Sequence, residues 1–279
     1  MSENQHVIPC VNLCEATSPY ARSGELVDIL GRTCWEAGFP ACERVYAGSY
    51  FCENYFCGLS DGFHEAVRDI HERYDVGATL VIPIVGQAFL SRAERRIDEL
   101  LDCFGDVYDE LVVNDVAMFM WLSQCTGKRI GLGRLFSKGL RDARYPEVFG
   151  AVSRPELSPE ARACVDARPN MLPLVEVDPA SEAVDVSALA GAEVAMHLPY
   201  CYATTGRNCA SASIDAPDSE KFRLGRGCDC ECLRMVQGSR TEQGIRYIKH
   251  GRTYYFENPG CQIAGTDHWR VVYAANMER

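Results

Sequence analysis

Short apolar runs and amphipathic stretches take turns through the first half of this chain, and that alternation limits its fold more than any other feature. The runs are "HVIPCVNL" (6–13), "CERVYAGS" (42–49), "ATLVIPIVG" (78–86), "ELVVND" (110–115) and "KRIGLG" (128–133). "ATLVIPIVG" is almost continuously apolar and rich in β-branched residues, as a strand buried on both faces requires. Between the runs, apolar residues recur at helical spacing: Leu26, Leu30, Cys34 and Ala37, then Phe63, Val67 and Ile70, then Ile97, Leu100, Leu101 and Phe104. Ser91 and Glu94 form an S-x-x-E capping pattern ahead of the third stripe, and "VAMFMWLSQC" (116–125) predicts a fourth, largely buried helix. The repeat is about 35 residues, the size of one βα unit in a parallel sheet.

The class is therefore α/β, and five such units suit either a barrel or an open doubly wound sheet. No G-x-G-x-x-G follows the first strand, so a dinucleotide-binding open sheet has no motif here. We expect a TIM-like (β/α) barrel spanning residues 1–279 as a single domain, a length near the upper end of what one core supports. The rhythm weakens after residue 145. Six of the 13 prolines lie between Pro146 and Pro179, so 146–179 reads as an irregular excursion. It holds a helix start at Ser158-Pro159-Glu160 and the strand "LPLVEV" (172–177). "AEVAMHLPY" (192–200) returns to a strand, 201–232 is a Cys-rich loop, "RYIKHG" and "RTYYFE" make a hairpin, and "HWRVVYAA" (268–275) is a last strand. The C-terminal third is thus an irregular barrel segment or an incomplete one.

The formal charge of −11 argues against a protein built to grip a nucleic-acid backbone, which needs clustered Lys and Arg. One basic span runs against it: Lys128, Arg129, Arg134, Lys138, Arg141 and Arg144, read as a solvated face or an anion-binding rim. The N-terminal sequence has no basic segment followed by a long apolar one, and "ATLVIPIVGQAFL" is too short to span a bilayer. The expectation is a cytoplasmic protein without a membrane span. That matters for the 15 cysteines, an odd number that cannot all pair and that a reducing compartment keeps as thiols.

Cys10, Cys14, Cys34, Cys103, Cys125, Cys164 and Cys261 stand apart in apolar or helical contexts and read as small buried residues. The other eight form an early group, Cys42, Cys52 and Cys57, and a late group, Cys201, Cys209, Cys228, Cys230 and Cys232. In "GCDCEC" the Cys228-x₃-Cys232 pair is the better chelate, because cysteines one residue apart fit ordinary knuckle geometry poorly. Four thiolates on such a scaffold suit zinc or an iron–sulfur cluster, and spacing leaves both open. His197, at the end of a strand, is a candidate for proton transfer or ligand support, against an ordinary buried histidine. Asn114-Asp115 ends a strand where barrel sites gather. Arg207 is a candidate for binding an anion or neutralising thiolates, against a plain loop residue. His64 and His71, on a helix, read as surface residues. There is no H-E-x-x-H, G-x-S-x-G or Walker loop.

Four pieces together resemble the collagenase-like peptidase family (the peptidases of unknown catalytic type numbered thirty-two), above all its short UbiU/UbiV-type members. They are "VYAGSYFC", "ELVVNDVAMFMWL", "HLPYCYATTGR" and "CDCEC", in that order. The resemblance implies a TIM-like barrel with a [4Fe–4S] cluster held by Cys52, Cys201, Cys228 and Cys232, with Cys209 and Cys230 as surplus thiols able to substitute. It implies an iron–sulfur enzyme, or an accessory subunit beside a paralogous barrel, acting in oxygen-independent hydroxylation. The acidic balance favours a small-molecule substrate over RNA. Two other readings remain: a structural zinc or iron–sulfur site on a partner-binding barrel, and a peptidase, for which no catalytic machinery is visible.

Overall fold

The computed structural model describes residues 6–138, 152–168, 173–178, 182–223, 225–240, 244–258 and 260–275. Eight strands form a closed, all-parallel barrel: β1 (His6–Asn12), β2 (Arg44–Gly48), β3 (Gly77–Ile82), β4 (Tyr108–Val113), β5 (Arg129–Leu132), β6 (Leu174–Val177), β7 (Glu193–Leu198) and β12 (His268–Ala274). Each pairs with its neighbour in this order, and β12 closes the ring against β1, with Cys10 opposite both Val272 and Arg44. Between β7 and β12 the chain builds a separate antiparallel sheet from β8 (Tyr200–Thr205), β9 (Val236–Arg240), β10 (Arg246–His250) and β11 (Thr253–Glu257), ordered β8-β11-β10-β9.

The helices are α1 (Ser23–Ala37), α2 (Glu53–Gly58), α3 (Asp61–Tyr74), α4 (Leu90–Phe104), α5 (Val116–Cys125) and α6 (Pro159–Asp166). α3 shows why the sequence folds locally as it does. The Ser60 hydroxyl accepts from the Phe63 amide at 3.2 Å, Asp75 ends the helix in the left-handed region, and Phe63, Val67 and Ile70 are buried. α4 departs from expectation. It runs straight out of a 3-10 turn at Gln87–Phe89, so Ser91 sits inside the first turn and its capping box does not form. α5 is buried on one face only: Met118, Phe119 and Leu122 are covered, while Val116 and Met120 are exposed.

Two cores result. The outer one lies between strands and helices and holds Val45, Leu80, Leu111, Phe63, Ile97 and Leu122, each side chain contributing about 1.5–3 kcal/mol of burial. The inner one fills the barrel with Cys10, Tyr46, Val81, Val112, Leu174, Ala195 and Val272. Gly48 is required at the end of β2: its φ is 127°, and a Cβ there would lie 2.2 Å from the Val81 carbonyl oxygen.

The amino ends of the strands carry a buried charge layer. Arg270 donates to Glu110 at 2.7 and 3.0 Å and to the Tyr46 hydroxyl at 2.9 Å, and Arg129 pairs with Glu193 at 2.7 Å. The described part of the basic span, Lys128, Arg129 and Arg134, is therefore not a solvated face. Arg129 is spent on this layer, Arg134 is buried against Asp178, and Lys128 donates to the Gly105 carbonyl at 2.6 Å. Arg141, Arg144 and the Lys138 side chain lie outside the described residues. His64 corrects another expectation: it is fully buried, with Nδ1 2.6 Å from the Tyr108 hydroxyl, because the α3 stripe includes it. His71 is half-buried, its Nδ1 2.8 Å from the Val76 carbonyl oxygen.

In the 146–179 excursion the described residues form short strands at Val152–Ser153 and Glu156–Leu157, then α6, whose Ser158 hydroxyl accepts from Ala161 as expected, then β6. No described helix is long and apolar enough to cross a membrane.

Candidate functional site

At the carboxyl ends of β1, β2 and β3 the loops meet the segment following β8, and a pocket opens between them. It is open to solvent on one side. Glu15 enters from the loop after β1, Cys52 and Glu53 from the end of β2, and Phe89 from the loop after β3. The opposite wall supplies Arg207, Cys209, Phe222, Arg226, Cys228, Cys230 and Cys232, and the β10–β11 turn supplies His250, Gly251 and Arg252. Five thiols from three separate stretches of sequence therefore face one space.

Each is placed by ordinary backbone chemistry. Cys52 is the N-cap of α2, where its sulfur accepts from the Tyr55 amide at 3.5 Å, and its own amide donates to the Ser49 hydroxyl at 2.8 Å. Burial holds its thiol well above the usual range. Cys230 adopts the left-handed conformation, φ 59°, which folds "CDCEC" into a tight loop instead of a strand. A hydrogen bond from Cys230 brings the Cys228 thiol down to about 7 and drives Cys230 upward. Burial also raises Cys232, with Cys52 close by. Gly251, φ 58°, lets the turn backbone pack against Cys232; a Cβ there would sit 3.5 Å from its sulfur.

Positive charge is built in beside the thiols. Arg252 is 8% exposed, donates to the Phe51 carbonyl through Nε at 2.6 Å and pairs with Glu53. Burial works against its charge, but Cys52 and Glu53 hold the guanidinium above its usual value. Arg207 lies against Gly86, where a Cβ would be 2.9 Å from its Nη2. Arg226 Nη1 and Glu231 Oε2 are buried in the wall without hydrogen-bond partners. His250 is buried and held below its usual value by desolvation.

Of the residues expected from sequence, the structure brings Cys52, Cys228, Cys232, Cys209, Cys230 and Arg207 together at this pocket. Cys201 is elsewhere. The chain continues past Pro199 into β8, an element not expected there, where Cys201 pairs with Phe256 and is fully buried, its thiol 3.6 Å from the Tyr202 carbonyl oxygen. Asp115 is also spent locally: it caps α5, accepting from the Ala117 amide at 2.8 Å. Among the described residues no group of His, Cys, Asp or Glu is arranged to hold one metal ion; the thiols line walls and do not converge on a point.

His197 lies in the second polar site, inside the carboxyl end of the barrel. Its Nε2 is 3.2 Å from Glu176 Oε1, which also accepts from the Tyr50 hydroxyl at 2.9 Å. Beside them Arg134 pairs with Asp178 and donates to the Tyr200 carbonyl at 2.9 Å, and Asp178 accepts from the Tyr202 amide at 2.8 Å. Burial pushes Glu176 up to about 8 and holds His197 well below its usual value, so burial favours the uncharged form of both. Sequence reading found His197 but not Glu176, Tyr50 or Asp178, and took Arg134 for part of a solvated face or an anion-binding rim. The visible signal was a lone carboxylate inside the apolar strand "LVEV". Comparison of the chain with protein families, with curated proteins and with solved structures finds no match.

Proposed function

We propose that this chain is a TIM-like iron–sulfur barrel protein of the collagenase-like peptidase type, with a [4Fe–4S] cluster held by Cys52, Cys209, Cys228 and Cys232. It acts as a redox enzyme, or one subunit of one, in oxygen-independent hydroxylation of a small molecule. The observation that carries the reading is the gathering of five thiols from three separate stretches in one pocket at the carboxyl end of the barrel. Cys209 replaces the expected Cys201 because Cys209 lines that pocket and Cys201 does not. Thiols spread around walls suit a cluster of several atoms better than a single tetrahedral ion, which needs every sulfur within about 2.3 Å of one point.

The donor set fits the group in charge as well as in number. Four thiolates leave a [4Fe–4S] site net negative, and Arg252 and Arg207 stand beside them. The Tyr55 amide donates to the Cys52 sulfur, an interaction that stabilises a ligating thiolate. The raised thiols release their protons only when metal replaces them, so loading depends on pH. When bound, the cluster supplies one-electron transfer in a site partly screened from water. The chain positions it, balances its charge and walls it from the barrel interior with Tyr50, Phe51 and Cys52.

The test is anaerobic purification with iron, sulfide and zinc analysis and an absorption spectrum. We expect a brown protein with iron and sulfide in equal amounts. Cys209→Ser and Cys228→Ser lose the iron, whereas Cys201→Ser keeps it. A colourless anaerobic preparation with one zinc per chain refutes the proposal.

A further inference from the structure

The polar group inside the barrel is not needed to hold the thiols, and a sealed core has no use for it. Glu176 is fully buried, His197 is 1% exposed and Asn114 is 3% exposed. Glu176 Oε2, His197 Nδ1 and Asn114 Oδ1 nonetheless have no hydrogen-bond partner. Buried polar atoms are nearly always paired, so three orphans at one end of the barrel point to something that binds there. Glu176 ends β6, His197 ends β7 and Asn114 follows β4, so all three belong to the carboxyl mouth of the barrel.

The charge around these atoms says what they can take. Arg134 and Asp178 neutralise each other, and Tyr50 already donates to Glu176. A carboxylate or phosphate would find no unspent positive charge among these residues. What remains is a mixed set of donor and acceptor atoms: a carboxyl oxygen, an imidazole nitrogen and an amide oxygen. That set complements a hydroxyl or a carbonyl, which interacts with both kinds of group and carries no charge.

We propose that Tyr50, Glu176, His197 and Asn114 form a binding site for the neutral hydroxyl or carbonyl end of a small molecule, reached by displacing the Phe51–Tyr202 ring stack. The stack is closed in this structure, with ring centroids 4.5 Å apart. Phe51 also touches Tyr50 and Tyr255 in the aromatic cover. The ligand's oxygen takes a hydrogen bond from the Glu176 carboxyl, and its hydroxyl, where it has one, donates to His197 or Asn114. The site and the thiol pocket draw on one loop after β2: Tyr50 donates to Glu176, and Cys52 lines the pocket.

The experiment uses the full chain labelled with ¹⁵N-histidine and follows the imidazole nitrogens as size-matched probes are added: propanol, acetone and acetamide against propionate and phosphate. The His197 signals are those missing from His197→Asn, and crystals soaked in the same probes identify the site if that variant does not fold. The neutral probes are expected to move the His197 nitrogens, and the anions are not. Glu176→Met, which roughly keeps the side chain's size but removes both the donor and the acceptor, should weaken propanol binding at least tenfold. Movement by the anions alone, or density showing only an ordered water that no probe displaces, overturns the proposal. Because the readout is nitrogen shift or density and not iron content, its failure is separable from failure of the cluster reading.

Discussion

Removing Arg270 tests whether the buried charge layer holds the barrel's amino end together. The side chain is 5% exposed, and that of its partner Glu110 is 2% exposed. Arg270→Met keeps the volume and deletes the charge. Glu110 then retains only Arg129 at 3.3 Å and the Thr79 hydroxyl at 2.8 Å, and Glu193 keeps Arg129 alone. Breaking one side of a buried pair costs about 3–5 kcal/mol, because the remaining carboxylate stays out of water without its partner. An exposed pair would cost only about 0–1 kcal/mol. Urea unfolding of wild type and variant reads the difference, and Glu110→Gln with Arg270→Met together should cost less than the two single costs summed. A loss below about 1 kcal/mol for Arg270→Met would show that the layer is hydrated and the geometric reasoning wrong.

Gly48→Ala combines a left-handed φ with a backbone clash against Val81, so urea unfolding should show a loss of at least about 3 kcal/mol. Ser158→Ala removes the cap of α6 and should cost about 1 kcal/mol by the same assay. Burial lowers His64 from 6.5 to about 3, so the unfolded chain takes up a proton that the fold refuses. Its contribution is intact above pH 6.5 and falls by about 1.4 kcal/mol per pH unit as pH drops toward 3. His64→Phe should flatten that part of the stability–pH curve, and an unchanged slope would assign the acid sensitivity to other groups.

The barrel was legible because its information is local. Short apolar runs and period-3.6 stripes in β1 through α5 are each set within a dozen residues, and α3 and the β10–β11 hairpin fall where the sequence predicts them. α2 and β8 escaped notice for the opposite reason. "ENYFCG" is too short to show a helical stripe, and "YCYATT" alternates weakly and gains its partner from Thr253–Glu257, some fifty residues on. That one missed strand misdirected the reading of Cys201, which looked like a loop thiol. Arg134 was misread likewise: its partner Asp178 is distant in sequence, and only barrel closure turns an apparent surface cation into a buried one. The carboxylate of Glu176 was visible in "LVEV", but its meaning depended on His197 and Tyr50, which arrive from other strands.

The pairing of β12 between β1 and β7 sets the order in which this protein can come into being. During synthesis the first seven strands emerge, and whichever of them pair early leave β1 and β7 as raw edges. Both wait for His268–Ala274, more than two hundred residues after β1. Edges of that kind recruit other chains. The growing polypeptide thus stays adhesive until His268–Ala274 is made and closes the ring.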